Sequence, residues 1–160
     1  MDIILSSISQ GLLWSVMAIG VYLTFRILDI ADMTAEGSYP LGAAVCATGI
    51  VNGLNPLLAT FLAMIAGMGA GLISGLLHTK LKIPALLTGI VTLTGLYSIN
   101  LKILGKANVA LLKQETLVTQ LQDFGLAKTN AVLVIGIIFV LAVVGVLTLF
   151  LNTQSGLAIR

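Results

Sequence analysis

Three carboxylates, Asp29, Asp32 and Glu36, fall within a few residues of one another, with Thr34 among them and Arg26 just before. The residues on either side are strongly apolar. A carboxylate left charged in hydrocarbon costs about 3 kcal/mol or more, so these groups must sit at a membrane interface, line a water-filled cavity or be paired. Arg26 is the nearest pairing candidate. The stretch from Asp29 to Pro40 reads either as a solvated loop or as a polar segment between broken helices that faces a solute path rather than lipid. A second polar set, Thr88, Thr92, Thr94, Ser98 and Asn100, runs through the apolar block Ile83–Leu101. Its hydroxyls can bond to their own preceding carbonyls or line a polar path between helices.

Other chemistries find no support. Cys46 is a single thiol in an apolar run and reads as a small buried residue, so neither a disulfide nor a thiolate metal cluster is indicated. His78, beside Lys80 at the end of an apolar block, has no carboxylate or thiol near it in sequence, and no metal site is assigned. No GxxxxGK[ST] phosphate loop occurs, so energy from ATP would have to arrive through a partner. No cofactor and no catalytic residue are expected. A net charge of +2 is too small to argue for nucleic acid. Trp14, Tyr22, Tyr39 and Tyr97 are too scattered to form a ligand cage, and belt anchoring or core packing accounts for them.

The elements that must position the polar residues are membrane helices. Hydrophobic residues make up 58% of the chain and charged residues 9%, against roughly 25% charged in an ordinary soluble domain. No formal charge occurs from Gly37 to Thr79, nor in Ile3–Phe25, Ile83–Leu101 or Thr129–Gln154. About 20 apolar residues cross a bilayer core, so the fold class is all-α, a polytopic transmembrane helix bundle of about five membrane elements, one of them short or broken. Span one is placed at Gln10–Leu28 and reads as a retained span, since no basic segment precedes it. Pro40 is placed at the start of the second element, which reaches only to about Val51 and is therefore a broken helix or a span completed by the polar stretch before it. Leu57–Leu77, Ile83–Leu101 and Asn130–Leu151 complete the set, and Val109–Leu126 could form a short interfacial helix. The sequence ends a few residues beyond the last span, which reads as an interruption.

If all five elements cross, Arg26, Lys80, Lys82 and Arg160 share one side, while Lys102, Lys106, Lys113 and Lys128 share the other. The tight loop carrying Lys80 and Lys82 is placed in the cytoplasm, since the positive-inside rule weighs charges close to helix ends most heavily. Gly67, Gly71 and Gly75 recur at four-residue spacing among further small residues, a pattern that lets two helices approach closely and assigns these glycines to helix packing.

Two stretches carry a family resemblance. Gly11-Leu12-Leu13-Trp14-Ser15-Val16-Met17-Ala18-Ile19-Gly20, followed by Leu28-Asp29-Ile30-Ala31-Asp32-Met33-Thr34-Ala35-Glu36-Gly37-Ser38-Tyr39-Pro40-Leu41-Gly42-Ala43, resembles the opening of permease subunits of bacterial ABC importers of the branched-chain amino acid and ribose type. The Asp32-Met33-Thr34 and Glu36-Gly37 variant, with Leu93-Thr94-Gly95-Leu96-Tyr97-Ser98-Ile99-Asn100-Leu101-Lys102-Ile103-Leu104-Gly105, is similar to the subgroup associated with tryptophan or tyrosine uptake. Gly67–Gly75 and Lys82-Ile83-Pro84-Ala85-Leu86-Leu87-Thr88-Gly89 follow the same family order. The resemblance covers nearly the whole chain and departs in length, since such permeases have roughly twice as many residues. Residues 1–160 would then be the N-terminal part of a permease domain, ending where the cytoplasmic loop that docks on the ATPase begins.

The resemblance implies a permease subunit in the bacterial cell membrane, part of an ATP-driven importer of amino acids or related small solutes. The implied partners are cytoplasmic ABC ATPase subunits, an extracytoplasmic solute-binding protein and a second permease subunit, as a homo- or heterodimer. Asp29, Asp32, Thr34 and Glu36 become pathway or gating candidates, with Thr92, Thr94 and Asn100 behind them. The permease would form no covalent bond, working instead by a two-state change of packing biased by its partners. A non-transporting membrane scaffold or an ion-coupled secondary transporter are the competing readings.

Overall fold

The computed structural model describes residues 2–27, 29–30, 32–106, 109–111, 114–123, 125, 127–154 and 156, apart from the side chains of Asp2 and Asp123. Helices and their connections account for these residues, with no strand among them. They fall into two compact units, one made of residues up to Asp29 together with those from Leu117 onward, the other of Ile30–Thr116.

In the first unit, α1 (Asp2–Tyr22) runs into a single π-helical turn at Leu23–Ile27. In this turn the Thr24 hydroxyl donates to the carbonyl of Val21 at 2.9 Å, and a longer approach reaches Gly20 at 3.4 Å. The helix begins well before the expected Gln10, because Ser7 and Ser9 donate to the carbonyls of Ile3 and Leu5 and so satisfy themselves inside it. The expected end at Leu28 lies outside the described residues.

After the short α5 (Leu117–Asp123), α6 (Lys128–Leu151) packs against α1. A Cβ at Gly136 would meet Leu12 at 3.4 Å, which shows how closely the two helices approach. Ser6 and Gln10 share a groove with Lys128 and Thr129, and Tyr22 and Arg26 share another with Thr148 and Asn152. The two helices therefore run parallel. Parts of the expected interfacial helix Val109–Leu126, and most of the segment 153–160 expected to begin the ATPase-docking loop, lie outside the described residues.

In the second unit, α2 (Thr34–Val51), α3 (Pro56–Leu81) and α4 (Ala85–Leu104) pack on one another. Asn55 caps α3 by accepting the Leu57 amide at 3.0 Å, and Pro56 occupies the first helical position, where its missing N–H matters least. The turn from α3 to α4 is held by His78, whose Nδ1 lies 2.8 Å from the carbonyl oxygen of Ile83, while Lys82 adopts a left-handed conformation (φ 54°). Gly105 ends α4 at φ 62°, the left-handed cap that glycine adopts without strain.

Pro40 does not open α2 as its sequence position suggests. It sits inside the helix, because the chain already turns helical at Thr34, where Asp32 supplies a cap. Of the two alternatives for the second element, the span completed by the polar stretch is the one observed. Its 18 residues extend about 27 Å. Contacts from Thr34 to Ser74 and from Gly49 to Ala59 set α2 antiparallel to α3, and contacts from Gly37 to Leu93 and from Thr48 to Ile103 set it parallel to α4.

Among the described residues, four helical segments are long and apolar enough to cross a membrane: Ile3–Ile27, Pro56–Leu81, Ala85–Leu104 and Lys128–Leu151. Helix α2 packs lengthwise against two of them, α3 and α4.

The distribution of side chains is inverted relative to a protein in water. Phe61, Met68, Leu72 and Leu149 are 60–72% exposed, while the buried set contains Ala59, Ala70, Ala131, Thr88, Thr92, Ser74 and Asn100. Small and hydroxyl residues between helices, with large apolar residues facing outward, are how helices associate where lipid replaces water. The one buried cluster of larger side chains joins Leu41 of α2, Ala70 of α3 and Leu96 of α4.

Candidate functional site

The carboxylate stretch organises around the first turn of α2. Asp32, the residue before the N-cap position held by Met33, accepts the backbone N–H of Thr34 on Oδ1 at 2.9 Å and so occupies one of the helix's unpaired donors. Thr34 Oγ1 lies 2.5 Å from the same carboxylate oxygen and 2.7 Å from Ser74 Oγ on α3. A threonine hydroxyl has one proton. With that proton on the carboxylate, the charge-assisted choice, Ser74 donates in turn to Thr34. A longer approach of 3.5 Å also brings Ser74 Oγ toward Asp32 Oδ2. Thr34 and Ser74 are buried, and Asp32 is half-buried.

Gly89 of α4 closes this knot from the third side. A Cβ there would lie 2.6 Å from the Met33 nitrogen and 2.8 Å from Asp32 Oδ1. One carboxylate thus pins the start of α2 to α3 through hydroxyls and to α4 through backbone contact. Within its own unit Asp32 is bonded by the amide and hydroxyl of Thr34, with Ser74 approaching at 3.5 Å.

A second polar feature runs along α4. Thr88, Gly89, Thr92, Leu96 and Asn100 are all buried and repeat at intervals close to one helical turn. Thr88 Oγ1 reaches toward the Ile83 carbonyl at 3.5 Å. Thr92 Oγ1 and Asn100 Oδ1 are buried without a hydrogen-bond partner among the described residues. Thr94 belongs to another face: it is exposed and bonds back to the carbonyls of Ile90 and Val91 at 3.0 Å.

Among the described residues this arrangement is a polar seam inside a three-helix unit whose outer faces are apolar. The sequence matches the family described as branched-chain amino acid transport system / permease component over residues 3–160. The chain belongs to this permease family.

Among curated relatives, the permease chain is 41% identical over 157 residues to a tyrosine transport system permease protein of Clostridioides difficile (strain R20291), an alignment covering 98% of this chain and 50% of that protein. It is 37% identical over 119 residues to an uncharacterized protein of Rickettsia prowazekii (strain Madrid E), covering 74% of this chain and 42% of that one. The chain therefore spans about half the length of the curated relatives it matches. No solved structure matches it. Family membership and the four apolar spans make it a multi-pass protein of the cell membrane.

The permease places its sequence-derived candidates unevenly. Asp32 and Thr34 meet in the knot, and Thr92 and Asn100 share the buried seam. Glu36 is exposed in the first turn of α2, where a carboxylate complements the positive end of the helix dipole. Asp29 is exposed at φ 53°, a left-handed conformation that aspartate tolerates better than most residues.

Gly67, Gly71 and Gly75 present open space, with nothing within 4 Å of a Cβ built on any of them. Inside the unit, α3 packs through buried Ala59, Ala70 and Ser74, with Ala63 against Gly42 and Ala66 at the apolar cluster, a stripe one position round the helix from the glycines. Ser74 and Gly89 escaped the sequence reading. The signal for Ser74 was its place in the series Ala59, Ala63, Ala66, Ala70, Ser74, which follows the helical repeat.

Proposed function

We propose that this chain is the N-terminal part of the membrane permease of an ATP-driven importer for an aromatic amino acid of the tyrosine class. The observation that carries the reading is its 41% identity, over nearly its whole length, to a protein named for tyrosine transport. In this reading the chain works with cytoplasmic ABC ATPases, an extracytoplasmic binding protein and a second permease subunit, and forms no covalent bond itself. The Asp32, Thr34 and Ser74 knot is the element whose making and breaking would distinguish two packings of α2 against α3 and α4. Thr92 and Asn100 line the polar route between α4 and its neighbours. Asp29, Glu36 and Thr94, exposed in their units, would meet solvent or other subunits.

The test is uptake of labelled tyrosine by cells producing the native-locus product together with its ATPase and binding protein. Uptake that requires an ATPase competent in hydrolysis, and that excess unlabelled tyrosine blocks, supports the reading. Uptake that persists without the ATPase and collapses with the proton gradient would replace it with an ion-coupled carrier. Membrane insertion without uptake would replace it with a scaffold.

A further inference from the structure

Near the N-terminal ends of α1 and α6 lies a groove of about 450 Å³, lined by Ser6, Ser9, Gln10, Leu13, Lys128, Thr129 and Val132. Neither the carboxylate knot nor the α4 seam involves it. Ser9 is buried and donates to the Leu5 carbonyl at 2.8 Å, so its proton is committed within the helix. The side chains of Ser6, Gln10 and Thr129 bond to no other described residue. Together with the Lys128 ammonium they set four uncommitted donor groups around one opening, two hydroxyls, one amide and one cation.

The groove is graded along its length. On α1 it passes from Ser6 through Gln10 to Leu13, a rise of about 10 Å, and on α6 from Lys128 and Thr129 to Val132. Both helices are long and apolar enough to span a membrane, an orientation that would set Ser6, Lys128 and Thr129 toward the near end of the spans and Leu13 and Val132 deeper. A free anion would use only the polar end. A phospholipid matches both ends, since its phosphate needs donors at the interface and its acyl chains need apolar surface below. Lys128 and Thr129 stand in the first turn of α6, whose unpaired amides add partial positive charge at this end of the groove.

We infer that this groove binds the phosphodiester headgroup of an anionic phospholipid, with Lys128 as the charged contact and Ser6, Gln10 and Thr129 as hydrogen-bond donors. Lys128 supplies the charge, and the hydroxyl and amide groups supply directed donors.

The experiment is native mass spectrometry of the full protein taken from nanodiscs containing equal amounts of phosphatidylglycerol and phosphatidylcholine. Wild-type protein should retain phosphatidylglycerol preferentially. Lys128→Gln should lower that preference about five-fold, and Ser6→Ala with Thr129→Val should lower it further. Lys102→Gln, a basic change outside the groove, should leave it unchanged.

Retention that is equal for the two lipids, or that falls as much with Lys102→Gln as with Lys128→Gln, overturns the inference in favour of a diffuse surface effect. Binding of glycerol phosphate in detergent as tightly as phosphatidylglycerol overturns the lipid assignment in favour of a soluble-anion site. Circular dichroism on each variant establishes that the helices persist, so lost retention is read only from folded protein.

Discussion

Gly89 sits so close beneath the amide of Met33 that a Cβ on it would lie 2.6 Å from that nitrogen. Nothing flexible stands at that contact, because the obstacle is backbone held by the Asp32 cap. Gly89→Ala is therefore expected to destabilise the protein by about 1–3 kcal/mol, the range for overpacking a closed site. Gly95→Ala, on the same helix with nothing within 4 Å, should be neutral or stabilise by up to ~1 kcal/mol through helix propensity. Thermal unfolding of both variants in the same detergent checks the pair, and equal effects would show that the close approach has no energetic weight.

Asp32 has two separable roles, capping α2 and joining it to α3. Asp32→Ala loses both and should cost about 0.5–2 kcal/mol from the cap alone. Asp32→Asn keeps an acceptor oxygen and should lose less. The link to α3 is measured by a double-mutant cycle between Thr34→Val and Ser74→Ala, which should give a coupling of about 0.6–1.7 kcal/mol, the range of interhelical hydrogen bonds in membranes. A coupling indistinguishable from zero would remove Ser74 from the knot.

The sequence made the helical class and the four long apolar helices legible because length and hydropathy are local properties, and Pro56 and Asn55 announced the start of α3 for the same reason. Pro40 misled because its fit to a first helical turn is also local, whereas the start of α2 is decided by Asp32 reaching the Thr34 amide. Asp32 and Thr34 stood out through their polarity in apolar surroundings. Ser74 and Gly89 did not, since their contribution depends on approach between helices far apart in sequence. The glycine series 67, 71, 75 and the alanine series ending at Ser74 both have helical spacing, and only the fold shows which of them faces α2.

Thr92 is buried and its hydroxyl finds no partner among the described residues. Valine has nearly the same shape without the polar group, so Thr92→Val should leave stability unchanged or raise it by up to ~1–3 kcal/mol, the burden of an unsatisfied buried group. If the hydroxyl lines a solute route, uptake should fall in the same variant. Measuring unfolding and tyrosine uptake together separates the two roles, and a large loss of stability would mean that the hydroxyl is bonded within the fold after all.

The open glycine face of α3 gives the last prediction. With nothing within 4 Å of a Cβ at Gly67, Gly71 or Gly75, alanine at each should be accommodated within this unit and add up to ~1 kcal/mol of helix propensity. Leucine at Gly71 should likewise leave the three-helix unit folded, since open space receives it. The outcome differs if another membrane helix closes against that face in the assembled transporter. Backbones that approach across glycine have no room for leucine, so Gly71→Leu would then abolish co-purification of permease subunits while the helical content and unfolding temperature of the isolated chain stay the same. Co-purification unchanged by Gly71→Leu would assign the face to lipid and withdraw the packing role from all three glycines.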